Sequence, residues 1–413
     1  MDRVSIAIIG GGVVGCAVAR ELAPFASGDI VLVERNPKIM GDNQSSRNSG
    51  VIHAGIYYDR TKEPLKAALC VEGNRLLYDF CEENGVPCRR TGKLVVAVDE
   101  LEAGYLDEVR ADAAANGVPG VAELDAREAA RLEPSVRAFK ALSVPTTGLV
   151  EPTRFVAALQ RQAEARGVVF LTGNEVVAVT PRKHGFEISA RSRDGTETFA
   201  AEFVVNAAGL YSDEVARLVD PAGPYRIGPI RGEWARFTKG RRPDIDLGER
   251  SIYPAPYGID NATGERVRVP YAEYERLARS GRVTKSIGIH LSPTFDLRGD
   301  DFSVGRSVIV GPTYVVGVGK EDYAVAHREP YYLDKVRSFF PGLRAGDLEL
   351  HTTGIRAKLQ SCSDFVIARD VSYPNWVNLV GIDSPGLTAS LAIARLIKDM
   401  ILGRPGITPD TLR

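Results

Sequence analysis

The sequence predicts an α/β fold in two parts: a dinucleotide-binding domain built on a parallel sheet, and a second α+β domain with a mainly antiparallel sheet. Three observations carry this. An apolar strand, Ser5–Ile9, a glycine-rich turn, a helix from Val13 to Leu22 and a second apolar strand, Ile30–Glu34, make the opening of a βαβ unit. Short strands of alternating polarity ending in turns follow in mid-chain. The 413 residues exceed what one hydrophobic core usually organises.

Taken in order, Leu65, Leu69, Leu76, Leu77 and Phe80 repeat at helical spacing and predict a helix from Leu65 to Asn84, stopped at Gly85. The strand Lys93–Val98 then crosses into the second domain. Residues 99–133, rich in Ala, Glu and Arg, read as surface helices, and Glu151–Arg166 as another helix. Strands at Gly167–Leu171, Glu175–Thr180, Phe186–Arg191 and Glu202–Asn206, with a turn at Asp194-Gly195, predict an antiparallel meander beside the parallel sheet. The division expected is residues 1–90, 146–225 and 345–413 for the first domain, and 91–145 with 226–344 for the second. Within the second, residues 239–285 interleave basic and acidic residues with Pro and Gly. They read as an insertion, either a solvated excursion or a lid or oligomer contact.

A formal net charge of −1 gives no electrostatic case for nucleic-acid binding. The five cysteines are odd in number and contain no C-x-x-C pair, so neither a disulfide framework nor a metal site is predicted, and a reducing cytoplasm fits. Val4–Ile9 is too short to span a bilayer and no later apolar run approaches about 20 residues. Any membrane association is expected to be peripheral, at the inner face.

Gly10-Gly-Gly12-Val13-Val14-Gly15 follows a strand and opens a helix, the Rossmann-type arrangement. Gly10 permits the tight turn, Gly12 lets the backbone approach a pyrophosphate, and Gly15 lets helix and strand pack closely. The N–H groups at Val13 and Val14 then face the phosphates. Glu34, with Arg35 beside it, closes the second strand where a carboxylate accepts hydrogen bonds from ribose hydroxyls. The polar loop 43–50 separates FAD from NAD: Ser45, Ser46, Asn48, Ser49 and Gly50, followed by Val51, offer hydroxyls, amides and backbone N–H groups for which an NAD site has little use.

On Ser45-Ser-Arg-Asn-Ser-Gly-Val-Ile-His-Ala-Gly-Ile-Tyr-Tyr58, Leu65-Lys-Ala-Ala-Leu-Cys-Val-Glu-Gly73, Gly92-Lys-Leu94 and Gly381-Ile-Asp-Ser-Pro-Gly-Leu-Thr-Ala-Ser390, the chain resembles the D-amino-acid-oxidase-like superfamily of FAD-dependent oxidoreductases. Within it the chain resembles the L-2-hydroxyglutarate oxidase/dehydrogenase family. The resemblance implies FAD as cofactor. It further implies that Ala207, Ala208 and Gly209 run beneath the dinucleotide, Val176 sets backbone against the adenine, and Gly354 opens a turn near the flavin ring. Pro385, Gly386, Leu387 and Thr388 start an apolar helix, Leu387–Met400, whose N–H groups face the pyrimidine side of that ring. The pattern is broken between Tyr253-Pro254 and Gly288-Ile-His290, which stand further apart here than in the family.

Hydride transfer to a flavin needs a held donor carbon, a base for the hydroxyl proton and positive potential beside the ring. His53, two residues after Val51, and His290 are the candidate bases; each alternatively is a satisfied structural histidine, while His184 and His351 read as surface residues. Arg356 and Lys358 are expected to bind a substrate carboxylate or the flavin carbonyl, the bland reading being a surface ion pair. Tyr57 and Tyr253 are expected either to hydrogen-bond substrate or simply to pack. The expectation is an enzyme oxidising a small 2-hydroxy acid, L-2-hydroxyglutarate to 2-oxoglutarate. The alternatives are an amino-acid or amine oxidase, a glycerol-3-phosphate dehydrogenase or, last, a flavin-carrying relay subunit, which the missing cysteine cluster disfavours. The partners expected are a small carboxylate substrate and an electron acceptor that is oxygen, a quinone or a carrier protein. Oligomeric state stays open.

Overall fold

The computed structural model describes residues 3–299 and 301–403; residues 1–2 and 404–413, assigned above to the first domain, lie outside the described residues. Strand Arg3–Ile9 sits mid-sheet, parallel to Ile30–Glu34 on one side and to Thr196–Asn206 on the other. Val169–Thr172 extends the sheet in parallel beyond Ile30–Glu34. The predicted meander is not a separate layer. Glu175–Arg182 and Gly185–Arg191 continue this same sheet antiparallel, and Thr196–Asn206 runs eleven residues, so the apolar half foreseen at Glu202–Asn206 is only its inner end. Its polar first half pairs with Gly185–Arg191 at the rim, where exposed side chains cost nothing.

Helices Val13–Leu22, Pro152–Glu164 and Gly386–Ile401 bury apolar stripes against the core of this sheet through Val18, Leu22, Phe155, Leu159, Ile393 and Ile397. Helix Pro64–Asn84, the one foreseen from Leu65, crosses Gly386–Ile401. The crossing is very close. A Cβ on Gly73 would stand 2.3 Å from the Thr388 carbonyl oxygen, so only glycine lets the two backbones meet. Asp364 caps the start of Pro64–Asn84 by accepting from the Leu65 and Lys66 N–H groups at 2.9 Å each.

A second eight-stranded sheet, mainly antiparallel, includes Lys93–Ala97, Lys140–Val144, Ile230–Thr238, Ser251–Pro254, His290–Arg298, Asp301–Gly311 and Leu348–Arg356. One of its faces packs on helix Glu329–Val336 and the residues after it, through Phe237, Leu291, Val310, Tyr332 and Phe340. Inside the predicted insertion 239–285, Ser251–Pro254 corrects the reading. It is a fully buried strand, parallel to Lys93–Ala97.

The excursion proper is a small module of three strands, Tyr257–Asp260, Arg266–Val267 and Val283–Ser286, with helix Tyr271–Arg279. It is anchored rather than freely solvated. Tyr271, edge-on, and Tyr274, tilted, each pack with ring centres 5.4 Å from that of Tyr105, and Arg266 and Lys285 pair with Glu102 and Glu108 at 2.7 and 3.1 Å. Glu100–Ala115, expected as a surface helix, is therefore covered on one side.

Gly73→Ala is expected to destabilise the protein by about 1–3 kcal/mol through this helix crossing. Thermal unfolding of the purified protein checks it, and an unchanged midpoint would show that the helices can separate at no cost.

Candidate active site

A cavity of about 670 Å3, within the usual size of a cofactor pocket, runs from the C-terminal ends of the parallel strands to the antiparallel sheet. Its nucleotide end is lined by Gly10, Gly12, Val13, Val14, Glu34, Arg35 and Val176, with Ala207, Ala208 and Gly209 along one side. Ser45, Asn48, Ser49 and Val51 follow, then Gly354, Arg356, Pro385, Gly386 and Leu387. His53, Trp234, Tyr253 and His290 close the far end.

Six of the expected residues stand behind this wall. Gly15 is a packing residue, since a Cβ there would lie 1.9 Å from the Gly10 oxygen. Ser46 accepts from the Gly41 N–H, and Gly50 turns the chain at φ +65°. Thr388 is buried under His53. Tyr57 packs behind Tyr253, ring centres 6.4 Å apart, and it is Tyr253 that lines the cavity. Lys358 lies one residue past Ala357, beyond the strand and the wall, its ammonium held below the ordinary lysine value by burial.

The nucleotide end fits an FAD. The turn at Gly10 has no room for a side chain, because a Cβ would meet the Ala207 oxygen at 2.5 Å. The first N–H groups of helix Val13–Leu22 point at the cavity, and the Ser45 hydroxyl accepts from Val13 N–H at 2.9 Å, which ties the polar loop to the helix terminus. Glu34, buried on the wall, accepts from the Gly11 and Asn36 N–H groups at 2.6 and 2.8 Å. Each of its oxygens keeps a lone pair for a ribose hydroxyl. The strand carrying Val176 slips register between Val176 and Ala178, a bulge that turns backbone toward the rim.

At the other end two imidazoles stand in low-dielectric surroundings. His53 is fixed by its backbone: its N–H donates to Thr388 Oγ1 at 3.0 Å and its carbonyl accepts from Asn74 Nδ2 at 2.9 Å. Its Nε2 lies 3.3 Å from Ser384 Oγ. Burial, then the charges of Lys93 and Arg356, push it down to about 3, so the ring is neutral at any working pH. His290 is buried and lies flat on Tyr253, ring centres 3.7 Å apart. Its Nδ1 is 3.1 Å from the Gly288 carbonyl, which only accepts, so Nδ1 carries the proton and Nε2 keeps its lone pair. Burial holds it, too, well below the ordinary imidazole value.

Several residues absent from the sequence reading belong here. Gln44 accepts from Ile355 N–H at 2.6 Å and donates to the Tyr323 hydroxyl at 2.8 Å, fastening the polar loop to the antiparallel sheet. Arg47 lines the cavity with its guanidinium 4.5 Å over the Tyr323 ring and its Nε buried without an acceptor. The buried Trp234 Nε1 likewise has no acceptor among the described residues. Lys93 is buried behind Tyr253. A lysine in register with Val95 and Ala97 on an apolar strand was the available signal for this last one.

Comparison with known proteins agrees with this geometry. The family described as DAO, FAD dependent oxidoreductase, matches residues 5–400. The chain belongs to this family. Among curated DAO-family relatives, L-2-hydroxyglutarate dehydrogenase, mitochondrial, of Arabidopsis thaliana is 32% identical over 97% of this chain and 84% of its own length. A glycerol 3-phosphate dehydrogenase of Caloramator mitchellensis is 28% identical over 96% of this chain and 73% of its own. Of solved structures, the dithionite-reduced L-α-glycerophosphate oxidase of Mycoplasma pneumoniae with FAD bound superposes with a TM-score of 0.80 at 24% identity, covering 97% of this chain and 95% of that one. The protein is thus an FAD-dependent oxidoreductase. No described helix is long and apolar enough to cross a membrane.

Gly15→Ala should abolish loading with FAD, because the added carbon falls on the Gly10 carbonyl. The ratio of flavin to protein absorbance after purification reads this directly, and full loading would mean that the turn is not the cofactor cradle.

Proposed function

We propose that this enzyme oxidises L-2-hydroxyglutarate to 2-oxoglutarate. The observation that carries the reading is the charge of the cavity's far end. Among the described residues Arg356 stands on the wall, close to the two neutral imidazoles, with no carboxylate within ion-pairing distance, and Arg47, also on the wall, has a buried Nε without an acceptor. Two guanidiniums that pair with no carboxylate among the described residues suit a donor with two carboxylates. The same charge disfavours an amine donor, which enters as a cation. The Arabidopsis relative, covered over most of both chains, bears a name that agrees.

In this reading Gly10, Gly12 and the terminus at Val13 and Val14 hold the pyrophosphate, Glu34 the ribose, and Val176 the adenine. Ala207, Ala208 and Gly209 lie along the dinucleotide, while Gly354 and the helix start at Pro385, Gly386 and Leu387 adjoin the ring. Bound FAD supplies the two-electron acceptor for the hydride leaving C2. The chain supplies the rest. Arg356 and Arg47 bind carboxylates, and Tyr253 with His290 forms a flat wall against the donor. His53, neutral and fixed by Thr388 and Asn74, takes the hydroxyl proton. The five free cysteines support a reducing compartment.

A phosphate dianion also suits two guanidiniums, and the Caloramator relative makes glycerol 3-phosphate the second reading. Anaerobic mixing of the flavin-loaded enzyme with L- and D-2-hydroxyglutarate, glycerol 3-phosphate and amino acids separates them. Rapid bleaching of the flavin is expected with the L-hydroxy acid alone; bleaching by glycerol 3-phosphate instead would replace the first reading with the second. His53→Gln should keep its flavin and slow that bleaching by on the order of 10²–10⁴-fold. A loss under about threefold would remove His53 from proton transfer.

A further inference from the structure

Lys93 is 1% exposed and lies in a strand whose five residues are all buried. Its ammonium is 3.9 Å from the centre of the Tyr253 ring and 5.1 Å from that of Tyr57, two rings inclined by only 22°. His290 packs 3.7 Å from Tyr253. With both so close to one ring centre, Lys93 and His290 must take opposite faces. Lys93 thus stands on the Tyr57 side of Tyr253, beside the line joining the two tyrosine rings, while Tyr253 and His290 line the cavity.

No carboxylate reaches Lys93 among the described residues. The contrast with Lys66, equally buried, is direct: its ammonium pairs with Asp383 at 2.9 Å. Burying a lysine without an anion is costly unless an anion arrives. Ring faces offset part of that cost, because their quadrupoles attract a cation. The cavity one ring away is where an anion can come.

We propose that Lys93 is the buried counter-charge of the donor site, a positioning residue whose ammonium, held against the Tyr57 and Tyr253 rings, draws the carboxylate of an anionic donor against the Tyr253–His290 wall. This rests on the anionic-donor reading above. Across a single ring, in buried low-dielectric surroundings, one unit charge acts strongly. Burial pushes Lys93 down to about 7 while no anion is present, so the charge is present below that pH and lost above it. A bound carboxylate raises that value again.

The titratable and charged groups facing the slot are Cys70 from helix Pro64–Asn84, His53 and Tyr57 from the segment after Val51–Ile52, Tyr253, His290, and Arg356 beyond them. Burial moves Cys70, Tyr57 and Tyr253 up and both imidazoles down, leaving the range pH 6–9 to Lys93.

Anaerobic flavin reduction in the loaded enzyme, followed by stopped flow from pH 6 to 9, gives the apparent donor Kd and the limiting rate separately. The donor used is whichever of the panel bleaches the flavin. In the unaltered enzyme Kd is expected to rise about tenfold between pH 7 and pH 9. Lys93→Met should bind about tenfold more weakly at pH 7, with that rise gone and the limiting rate within about threefold. Lys93→Arg, permanently charged, should bind tightly with no rise.

A Kd that still rises in either variant, with its flavin spectrum intact, overturns the proposal, as does a Lys93→Met that loses limiting rate and not affinity. Bleaching by glycerol 3-phosphate would sink the hydroxyglutarate reading and leave this test standing, since that donor is also an anion. Bleaching by no donor would sink both.

Discussion

The crossing of helices Pro64–Asn84 and Gly386–Ile401 at Gly73 and Thr388 is the contact on which the active site depends. It is a backbone-to-backbone approach that one methyl group would prevent. Once made, it delivers Thr388 Oγ1 to the His53 N–H and, one residue after Gly73, Asn74 to the His53 carbonyl. The imidazole is thus located chiefly by main-chain hydrogen bonds, its ring touching the Ser384 hydroxyl through Nε2, which leaves Nδ1 for chemistry. The same crossing sets the first turn of Gly386–Ile401 on the cavity wall, beside the ring's expected place.

Around that frame the cavity wall carries charge of both signs. Glu34, Glu175 and Glu214 line it beside Arg35 and Arg191 at the nucleotide end, whereas Arg356 stands near His53 and His290 and Lys93 lies one ring behind the wall. Carboxylates at one end suit sugar hydroxyls, and guanidiniums suit acids. Burial then keeps His53 and His290 neutral beside these cations, so acceptors of protons and attractors of anions coexist without cancelling. A single fold can hold both because its two sheets meet along the cavity.

The parallel half was legible in the sequence because its signals are local. A glycine turn between two apolar strands, an acidic residue at a strand end and an apolar helix each announce themselves within about 20 residues. Much of the antiparallel sheet did not, since Ile230–Thr238 and Leu348–Arg356 owe their pairing to partners far along the chain. Ser251–Pro254 is the clearest case: charge on both sides suggested a solvated insertion, but the strand is buried by distant Lys93–Ala97 and His290–Arg298. Tyr57 and Lys358 carried a plausible chemistry and stand behind the wall, because motif and spacing do not reveal which way a side chain turns. Lys93 went unread for the opposite reason. One charge in an apolar strand is easily passed over until its neighbours are known to be rings and not carboxylates.

The central claim is that the C2 hydrogen of an L-2-hydroxy diacid leaves while its carboxylates are held by the cationic end of this cavity. The rate of anaerobic flavin bleaching by L-2-hydroxyglutarate carrying deuterium at C2, set against the unlabelled compound, tests it most directly. A primary isotope effect on the bleaching step is the predicted result. Bleaching that is indifferent to deuterium at C2 would contradict it.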